Sequence, residues 1–312
     1  METDSSSPSL SEKPVPRFES AWRLSNAGFG FLMVLPAFLL LLAIFAYPLA
    51  YSAYMSFHFF DLARPQDFHF VGLGNYLEII QSEEFQRALK NTFIYAGLAV
   101  PLEFVIGLTL ALALATIERG RAVIRTLLII PMMLAPIVMG LMWKFMYNRE
   151  LGVINYLIEQ LGLTPPLWLA DPDLVLYSVV IVDIWATVPF VILLMLAGLL
   201  SIPSEYYESA RIDGASAVAA FRHITLPLLQ PIILVVLLIR GMDAFRVFDI
   251  IYVMTRGGPN FQSDVLSYYA FRGVFVHRAI GTATATAWIM TLILLVGGLV
   301  LIRSMRSTEE AL

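Results

Sequence analysis

Four charged residues interrupt one apolar stretch of this chain at a constant spacing. They are Arg240, Asp243, Arg246 and Asp249, which alternate in sign. Residues three apart on a helix lie close enough to form ion pairs. At about 3.6 residues per turn the four spread over about 180 degrees of the helix, so they do not all face one narrow cavity. Two hypotheses remain open, namely a polar wall that hydrogen-bonds the hydroxyl groups of a ligand, and an ion ladder against a neighbouring helix.

Other polar side chains also lie in apolar stretches. Asp183 precedes Trp185 by two residues, and a carboxylate beside an aromatic plane suits a hydroxylated ring with apolar faces. For Glu103 an interhelical hydrogen bond is favoured, since a charge exposed to lipid costs about 2.5–3.5 kcal/mol. Thr284 lies in the small-residue repeat 281–287, for which packing is favoured over lining a path. The candidate path residues are Asp183, Trp185, Asp243, Arg246, Asp249 and Thr284.

Several kinds of chemistry are excluded by what the sequence lacks. Without cysteine there are no disulfides, thiol nucleophiles or cysteine-ligated metals. The four histidines are scattered over loops without metal-ligand spacing. A phosphate-binding loop needs a Gly-Lys pair, but Lys13, Lys90 and Lys144 follow glutamate, leucine and tryptophan. We expect no catalytic residue, no metal and no cofactor on this chain, so any ATP must be bound by a separate subunit.

Long apolar runs carry the candidate residues. Hydrophobic residues make up 59% and charged residues 14% of the 312, against about 45–50% and about 25% in soluble proteins. A helix needs about 20 apolar residues to span a bilayer. Six runs reach this length, near 29–52, 92–117, 124–146, 174–200, 227–254 and 281–302. They do not alternate with period two, which excludes a transmembrane barrel. The predicted fold is an all-α membrane protein with six spans, kinked at internal prolines.

The two ends of the chain are polar. Residues 1–27 are rich in serine and proline and do not resemble a signal peptide, so we expect a disordered tail and an uncleaved first span. With the N-terminus inside, ten basic residues flank the spans on the inner side and seven on the outer side, which favours cytoplasmic termini. The predicted organisation is a tail at 1–27, a membrane domain at 28–304 and a tail at 305–312.

The polar segment 201–227, between the fourth and fifth runs, is typical of two short helices joined by a turn. Ser201 or Ser204 can cap the first helix. Asp213 and Gly214 break it, because glycine adopts the backbone conformation that a tight turn needs.

The second short helix is predicted over 216–224, ending before Pro227. Val218, Phe221 and Ile224 are spaced to form one apolar face on it. This face has no obvious partner in its own chain, so we expect it to enter a groove of another protein.

The same segment also carries a family pattern. Its residues are Glu208-Ser209-Ala210, then Gly214 after three residues, then Ile224-Thr225-Leu226-Pro227 after nine. This resembles the cytoplasmic coupling loop of ATP-binding-cassette (ABC) importer permeases, whose pattern is E-A-A, three residues, G, nine residues, I-x-L-P. Only Ser209 departs from it. The resemblance implies a six-span type I importer permease fold in which the coupling loop 201–227 contacts an ATPase. The contact residues it implies are Glu208, Ala210, Asp213, Gly214, Phe221, Ile224 and Pro227.

Further blocks resemble the carbohydrate-uptake branch of these permeases, as in trehalose, maltose and glycerol-3-phosphate importers. The blocks are 70–76, 88–92, 185–190 and 248–259. The resemblance implies a multi-pass subunit of a bacterial inner membrane that forms half of a path for a sugar, polyol or sugar phosphate. Its implied partners are two ATPase subunits, a second permease, an external sugar-binding protein and membrane lipid, with no nucleic acid.

Two rival functions fit the residues less well. A proton-coupled secondary transporter could use Asp183, Asp243 or Asp249 as a relay, but it needs no coupling loop and often has repeated halves, which we do not see. An intramembrane enzyme needs a clustered nucleophile and base or a set of metal ligands, and the sequence indicates neither.

Overall fold

The computed structural model describes residues 26–117 and 119–309, and these residues are mainly helical. In chain order the helices are α1 (Asn26–Ser56), α2 (Gly74–Gln81), α3 (Glu83–Thr116), α4 (Arg121–Ile129), α5 (Pro136–Met146), α6 (Val153–Gln160), α7 (Val175–Ser201), α8 (Ser204–Ile212), α9 (Ala217–Ala220), α10 (Leu226–Phe245), α11 (Asp249–Met254), α12 (Leu266–Phe275) and α13 (Ile280–Glu309). Two short antiparallel strands, β1 (His58–Phe59) and β2 (His69–Phe70), follow α1.

The two predicted tails lie largely outside the described residues. Helix α1 begins at Asn26, inside the segment 1–27, and α13 continues to Glu309, inside the segment 305–312. The rest of both segments is not described.

Five helical segments among the described residues are long and apolar enough to cross a membrane, and a sixth is obtained if α4 and α5 count as one broken span. The all-α membrane fold is therefore confirmed. The predicted third run, 124–146, is broken instead of simply kinked, because α5 lies at 94° to the helical segment that ends at Met133. Pro131 and Pro136 bracket this break, and each lacks the N–H that a continuous helix would use.

The fifth span is interrupted twice. It begins with α9, passes through a π-helical turn at Phe221–Thr225 and continues as α10. The second short helix therefore does not end before Pro227 as predicted. Pro227 occupies the first turn of α10, where a missing N–H is tolerated. The second interruption follows Phe245, after which the chain re-enters a helix at Asp249.

The chain forms two compact units, 1–51 and 52–312. The described part of the first unit is most of α1, an apolar helix in which no side chain from 29 to 51 is buried. A helix that is apolar all round is typical of a membrane span.

In the second unit, α7 is the most buried of the long apolar helices and packs closely against α3. Gly107 of α3 permits the approach, because a Cβ atom added there would lie only 2.6 Å from Cβ of Val191. Ala111, one turn along, is fully buried. Two turns further along α7, Gly198 packs in the same way against Ile232 of α10. The four-residue spacing of small residues in α3 thus serves helix packing.

Candidate functional site

Arg240 of α10 is the centre of a buried ion cluster. Its Nε donates to Oε2 of Glu103 on α3 at 2.7 Å, and its Nη2 donates to Oε1 at 3.1 Å. The same Nη2 donates to Oδ2 of Asp183 on α7 at 3.2 Å. All three residues are buried, and Glu103 is completely so. The planar guanidinium therefore joins three membrane-spanning helices at one point.

This cluster contains more carboxylates than cations. Asp243 approaches Nη1 of Arg240 at 3.7 Å, with 48% of its side chain exposed. Tyr95 of α3 places a fully buried hydroxyl beside Asp183 and Glu103. Because an uncompensated buried charge is costly, the single arginine stabilises the packing of all three helices.

A cavity of about 250 Å³ lies against the ion cluster. Its polar wall consists of Asp183, Thr187, Arg240 and Asp243. The remaining lining is apolar and comes from the broken third span, α7 and α11, with residues Pro131, Met132, Leu134, Pro136, Met139, Ala186, Phe190 and Ile250. Hydrogen-bonding groups on one side and apolar side chains on the other are typical of a small-molecule site.

Two of the six candidate path residues, Asp183 and Asp243, line this cavity. The others lie elsewhere. Trp185 packs edge-on against Trp143, with ring centroids 5.5 Å apart. The Thr284 hydroxyl donates to carbonyl groups of its own helix, α13.

The predicted ion ladder stops at Arg246, which bonds Asp243 at 3.3 Å in an exposed pair. Helix α10 ends at Phe245 and a new helix begins at Asp249, so the three-residue register is lost. Asp249 is exposed and forms no ion pair with the described residues. The hypothesis that Arg246 pairs with Asp249 is therefore wrong.

The predicted break at Asp213 and Gly214 is a tight turn that ends α8. The Ala215 N–H donates to the Ala210 carbonyl at 2.8 Å, and the Gly214 N–H donates to the Arg211 carbonyl at 3.1 Å. These two bonds form a Schellman motif, which requires a left-handed residue after the helix. Gly214 supplies it with a φ of 74°.

The start of α8 differs from the prediction. Its N-cap residue is Pro203, and no side chain caps the helix. Ser201 lies in the last turn of α7, where its hydroxyl donates to the Gly198 carbonyl at 2.7 Å. Ser204 is the first residue of α8. The predicted serine cap is therefore wrong.

The predicted apolar face of the second helix is divided. Phe221 is half-buried against the apolar cluster shared by α3, α7 and α10, whereas Val218 is 75% exposed. The π turn that starts at Phe221 changes the helical repeat, so the residues do not continue one face. Ile212, on the other side of the Gly214 turn, is 87% exposed. The exposed apolar surface is thus at the tip of the loop.

The other predicted loop residues differ in exposure. Glu208 and Asp213 are exposed, whereas Ala210, Ile224 and Pro227 are half-buried.

The loop after α11, residues 255–265, is fixed by the beginning of α3. The Asn91 side-chain amide donates to three carbonyl groups, those of Phe261, Gln262 and Asp264, at 2.9–3.2 Å. The Thr92 hydroxyl accepts a hydrogen bond from the backbone N–H that opens α12, at 2.9 Å. The block 88–92 therefore holds the loop 255–265, which begins within the block 248–259.

Asp264 in this loop is fully buried and pairs with Arg272, which also bonds Glu84 at 3.1 Å. Burial raises the pKa of the Asp264 carboxyl to about 6, while the positive charge of Arg272 keeps it from rising further. The pairing with Arg272 therefore offsets part of the cost of burying this carboxyl.

Sequence reasoning missed the central position of Arg240 and left Tyr95 unmentioned. The constant spacing around Arg240 pointed to pairs along one helix, whereas its close partners come from α3 and α7. A signal was present, since Glu103 and Asp183 are lone carboxylates in separate apolar runs and each needs a cation. The interhelical bond expected of Glu103 is confirmed.

Spanning helices, one of them broken, around a polar-walled cavity, with a helix–turn–helix loop between two of them, are typical of a membrane permease. Residues 92–311 match the family of binding-protein-dependent transport system inner membrane components. The chain belongs to this family and is the membrane component of a transport system.

Several named proteins are similar to this chain. The trehalose/maltose transport system permease protein MalF of Thermococcus litoralis is 40% identical over 252 residues, which cover 81% of this chain and 85% of the relative. The trehalose transport system permease protein SugA of Mycobacterium tuberculosis is 37% identical, with 79% of each chain covered. Among solved structures, a bacterial ABC transporter for import of the acidic polysaccharide alginate aligns with a TM-score of 0.78 and 26% identity, covering 89% of this chain and 95% of its own.

Proposed function

We propose that this chain is one of two permease subunits of an ATP-driven importer for a sugar or a related polyol or sugar phosphate. It forms half of the path and carries out no covalent chemistry itself. The observation that carries the proposal is the Gly214 turn, which presents Ile212 and Val218 at the tip of a polar loop. Large apolar side chains exposed at a loop tip favour insertion into a partner's groove.

The partner we assign to this tip is a cytoplasmic ATPase subunit, which binds the ATP that this chain has no phosphate-binding loop to hold. Glu208 and Asp213 supply an exposed polar rim around the apolar tip. Phe221 acts from inside, because its packing against α3, α7 and α10 anchors the loop to the membrane helices. Ala210, Gly214, Ile224 and Pro227 shape the loop.

The cavity supports a hydroxylated substrate. Asp183 and Asp243 accept hydrogen bonds, Arg240 donates them, and Phe190 offers an apolar contact. Because two carboxylates face one guanidinium, this wall favours a neutral sugar over an anionic one. The similar permeases belong to transport systems for trehalose and maltose, which are neutral sugars. We assign Asp183 and Asp243 to the path. The other four candidates, Trp185, Arg246, Asp249 and Thr284, do not line this cavity, and we assign them no direct contact with the sugar there.

The remaining partners follow from the same assignment. A second, related permease completes the path, and an external binding protein delivers the sugar. The family itself is defined by binding-protein-dependent transport. The bacterial alginate importer has also been solved in complex with a periplasmic protein that binds an alginate pentasaccharide.

The termini and the coupling loop are assigned to the cytoplasmic side of a bacterial inner membrane, and the loop 255–265 to the outside. The chain has no cysteine, so single cysteines can be introduced at Ser216 and at Gln262 without a background. We expect the first to be labelled by a membrane-impermeant maleimide only from the cytoplasmic side and the second only from outside, with the unmodified chain as the blank. Labelling of both positions from one side would refute this topology.

Substrate class is tested by uptake into liposomes that contain the complete complex, with binding protein outside and ATP inside. We expect labelled trehalose or maltose to accumulate and unlabelled neutral disaccharide to compete, whereas an alginate oligosaccharide does not. Competition by alginate with none by neutral sugars would contradict the assignment of a neutral sugar.

A further inference from the structure

One hydrogen bond joins the coupling helix α8 to the foot of α10. The hydroxyl of Tyr207 lies 2.9 Å from Oγ1 of Thr225, and either oxygen can donate. Among the residues that the structure describes, no other side-chain hydrogen bond or ion pair links Ser204–Ala215 to a membrane-spanning helix. Thr225 is buried and Tyr207 is half-buried, so the bond is partly protected from water. Hydrogen bonds are stronger in such protected surroundings than in water.

The surroundings of this bond leave little other side-chain contact between α8 and the foot of α10. Both residues border a cavity of about 570 Å³ between α8, α9 and the ends of α3 and α7. Five alanines contribute to the lining beside them, namely Ala115, Ala210, Ala215, Ala217 and Ala220. Continuous packing therefore does not hold α8 against the membrane helices at this point, and a shift of α8 does not require a dense core to rearrange.

Thr225 stands at a place where the helix can change its winding. It is the last residue of the π turn, in which the Leu226 N–H donates to the Phe221 carbonyl five residues earlier. Such turns interrupt the regular ladder and are frequent at functional sites. Beyond Thr225, α10 runs without interruption to Arg240, whose guanidinium holds Glu103 and Asp183 beside the polar wall of the membrane cavity.

We propose that Tyr207 and Thr225 form a positioning contact that passes movement of the coupling helix α8 to α10, and so to the polar wall of the cavity. This inference rests on the proposed function, because it needs an ATPase that moves α8. Neither residue touches the sugar or the nucleotide. Their hydroxyl pair determines how much of each ATP-driven movement reaches the path.

The test uses the complete complex in liposomes, with ATP hydrolysis and sugar uptake measured on the same preparation. Tyr207→Phe and Thr225→Val each remove one hydroxyl and keep the shape of the side chain. We expect both to retain hydrolysis while the sugar transported per ATP falls about three- to tenfold, the population change that one net hydrogen bond supports. Thr225→Ser keeps the hydroxyl and should therefore keep the unmodified ratio of sugar transported to ATP hydrolysed. Tyr156→Phe, on a tyrosine of α6 that is 59% exposed and lies outside the coupling loop, is the matched control and should leave the ratio unchanged.

The double variant of Tyr207→Phe and Thr225→Val should couple no worse than either single variant, since both remove the same bond. An unchanged ratio in both single variants would overturn the inference, as would losses that add in the double variant. If Thr225→Val does not assemble, Tyr207→Phe decides alone, because its ring packing is preserved. Absence of ATP-dependent uptake by the unmodified complex would instead refute the proposed function.

Discussion

Replacing Arg240 with methionine should prevent stable packing of α3, α7 and α10. The change leaves the carboxylates of Glu103 and Asp183 buried next to each other without their cation. Removing one partner of a buried pair costs about 3–5 kcal/mol, a large fraction of the about 5–15 kcal/mol by which folded proteins are stable. The loss of stability is measured as the drop in the midpoint of thermal unfolding of the purified permease pair, monitored by size-exclusion chromatography.

Two further variants make this result specific. Arg246→Met removes the arginine that immediately follows α10, which is 60% exposed and bonds only Asp243 among charged groups of the described chain. This variant should cost at most about 1 kcal/mol. Combining Arg240→Met with Glu103→Gln and Asp183→Asn removes the stranded charges and should recover a large part of the loss. Equal effects of Arg240→Met and Arg246→Met would contradict the buried cluster.

Replacing Gly214 with proline should abolish ATP-driven uptake while the protein still inserts and assembles. Proline fixes φ near about −65° and has no N–H. It therefore cannot adopt the φ of 74° at this position or donate to the Arg211 carbonyl. The turn that presents Ile212 and Val218 would be lost, whereas the spanning helices do not depend on it.

A graded series at Gly214 supplies the control. Asparagine tolerates the left-handed region better than other non-glycine residues, so Gly214→Asn should keep most of the uptake and Gly214→Ala less. A Cβ atom at this position meets nothing within 4 Å, so any loss in the alanine variant reflects backbone conformation and not a clash. Full uptake in the proline variant would refute the coupling assignment.

Local signals in the sequence predicted much of the fold. The apolar runs located the spans, since a membrane requires long helices whose backbone groups are internally bonded. The Asp213 and Gly214 pair located the turn, because few residues other than glycine adopt a positive φ. Both features are determined by residues that lie close to one another in the sequence.

Features that depend on distant residues were predicted poorly. The regular spacing correctly indicated that Arg240 pairs with Asp243, at 3.7 Å. It did not indicate the shorter bonds of Arg240 to Glu103 and Asp183, because those residues lie far away in the chain, on α3 and α7. The π turn at Phe221–Thr225 and the break after Phe245 have no clear local signal, and they turned Phe221 inward and separated Arg246 from Asp249. Tertiary packing decided each of these cases.

The most direct test of the central claim is uptake by liposomes that contain the two permeases, with and without the ATPase subunits. Binding protein and labelled sugar are supplied outside, and either ATP inside or a proton gradient provides the energy. The coupling-loop assignment predicts accumulation only when ATPase and ATP are both present, and none with Gly214→Pro. Accumulation driven by the proton gradient in the absence of the ATPase would contradict it and would identify a secondary transporter instead.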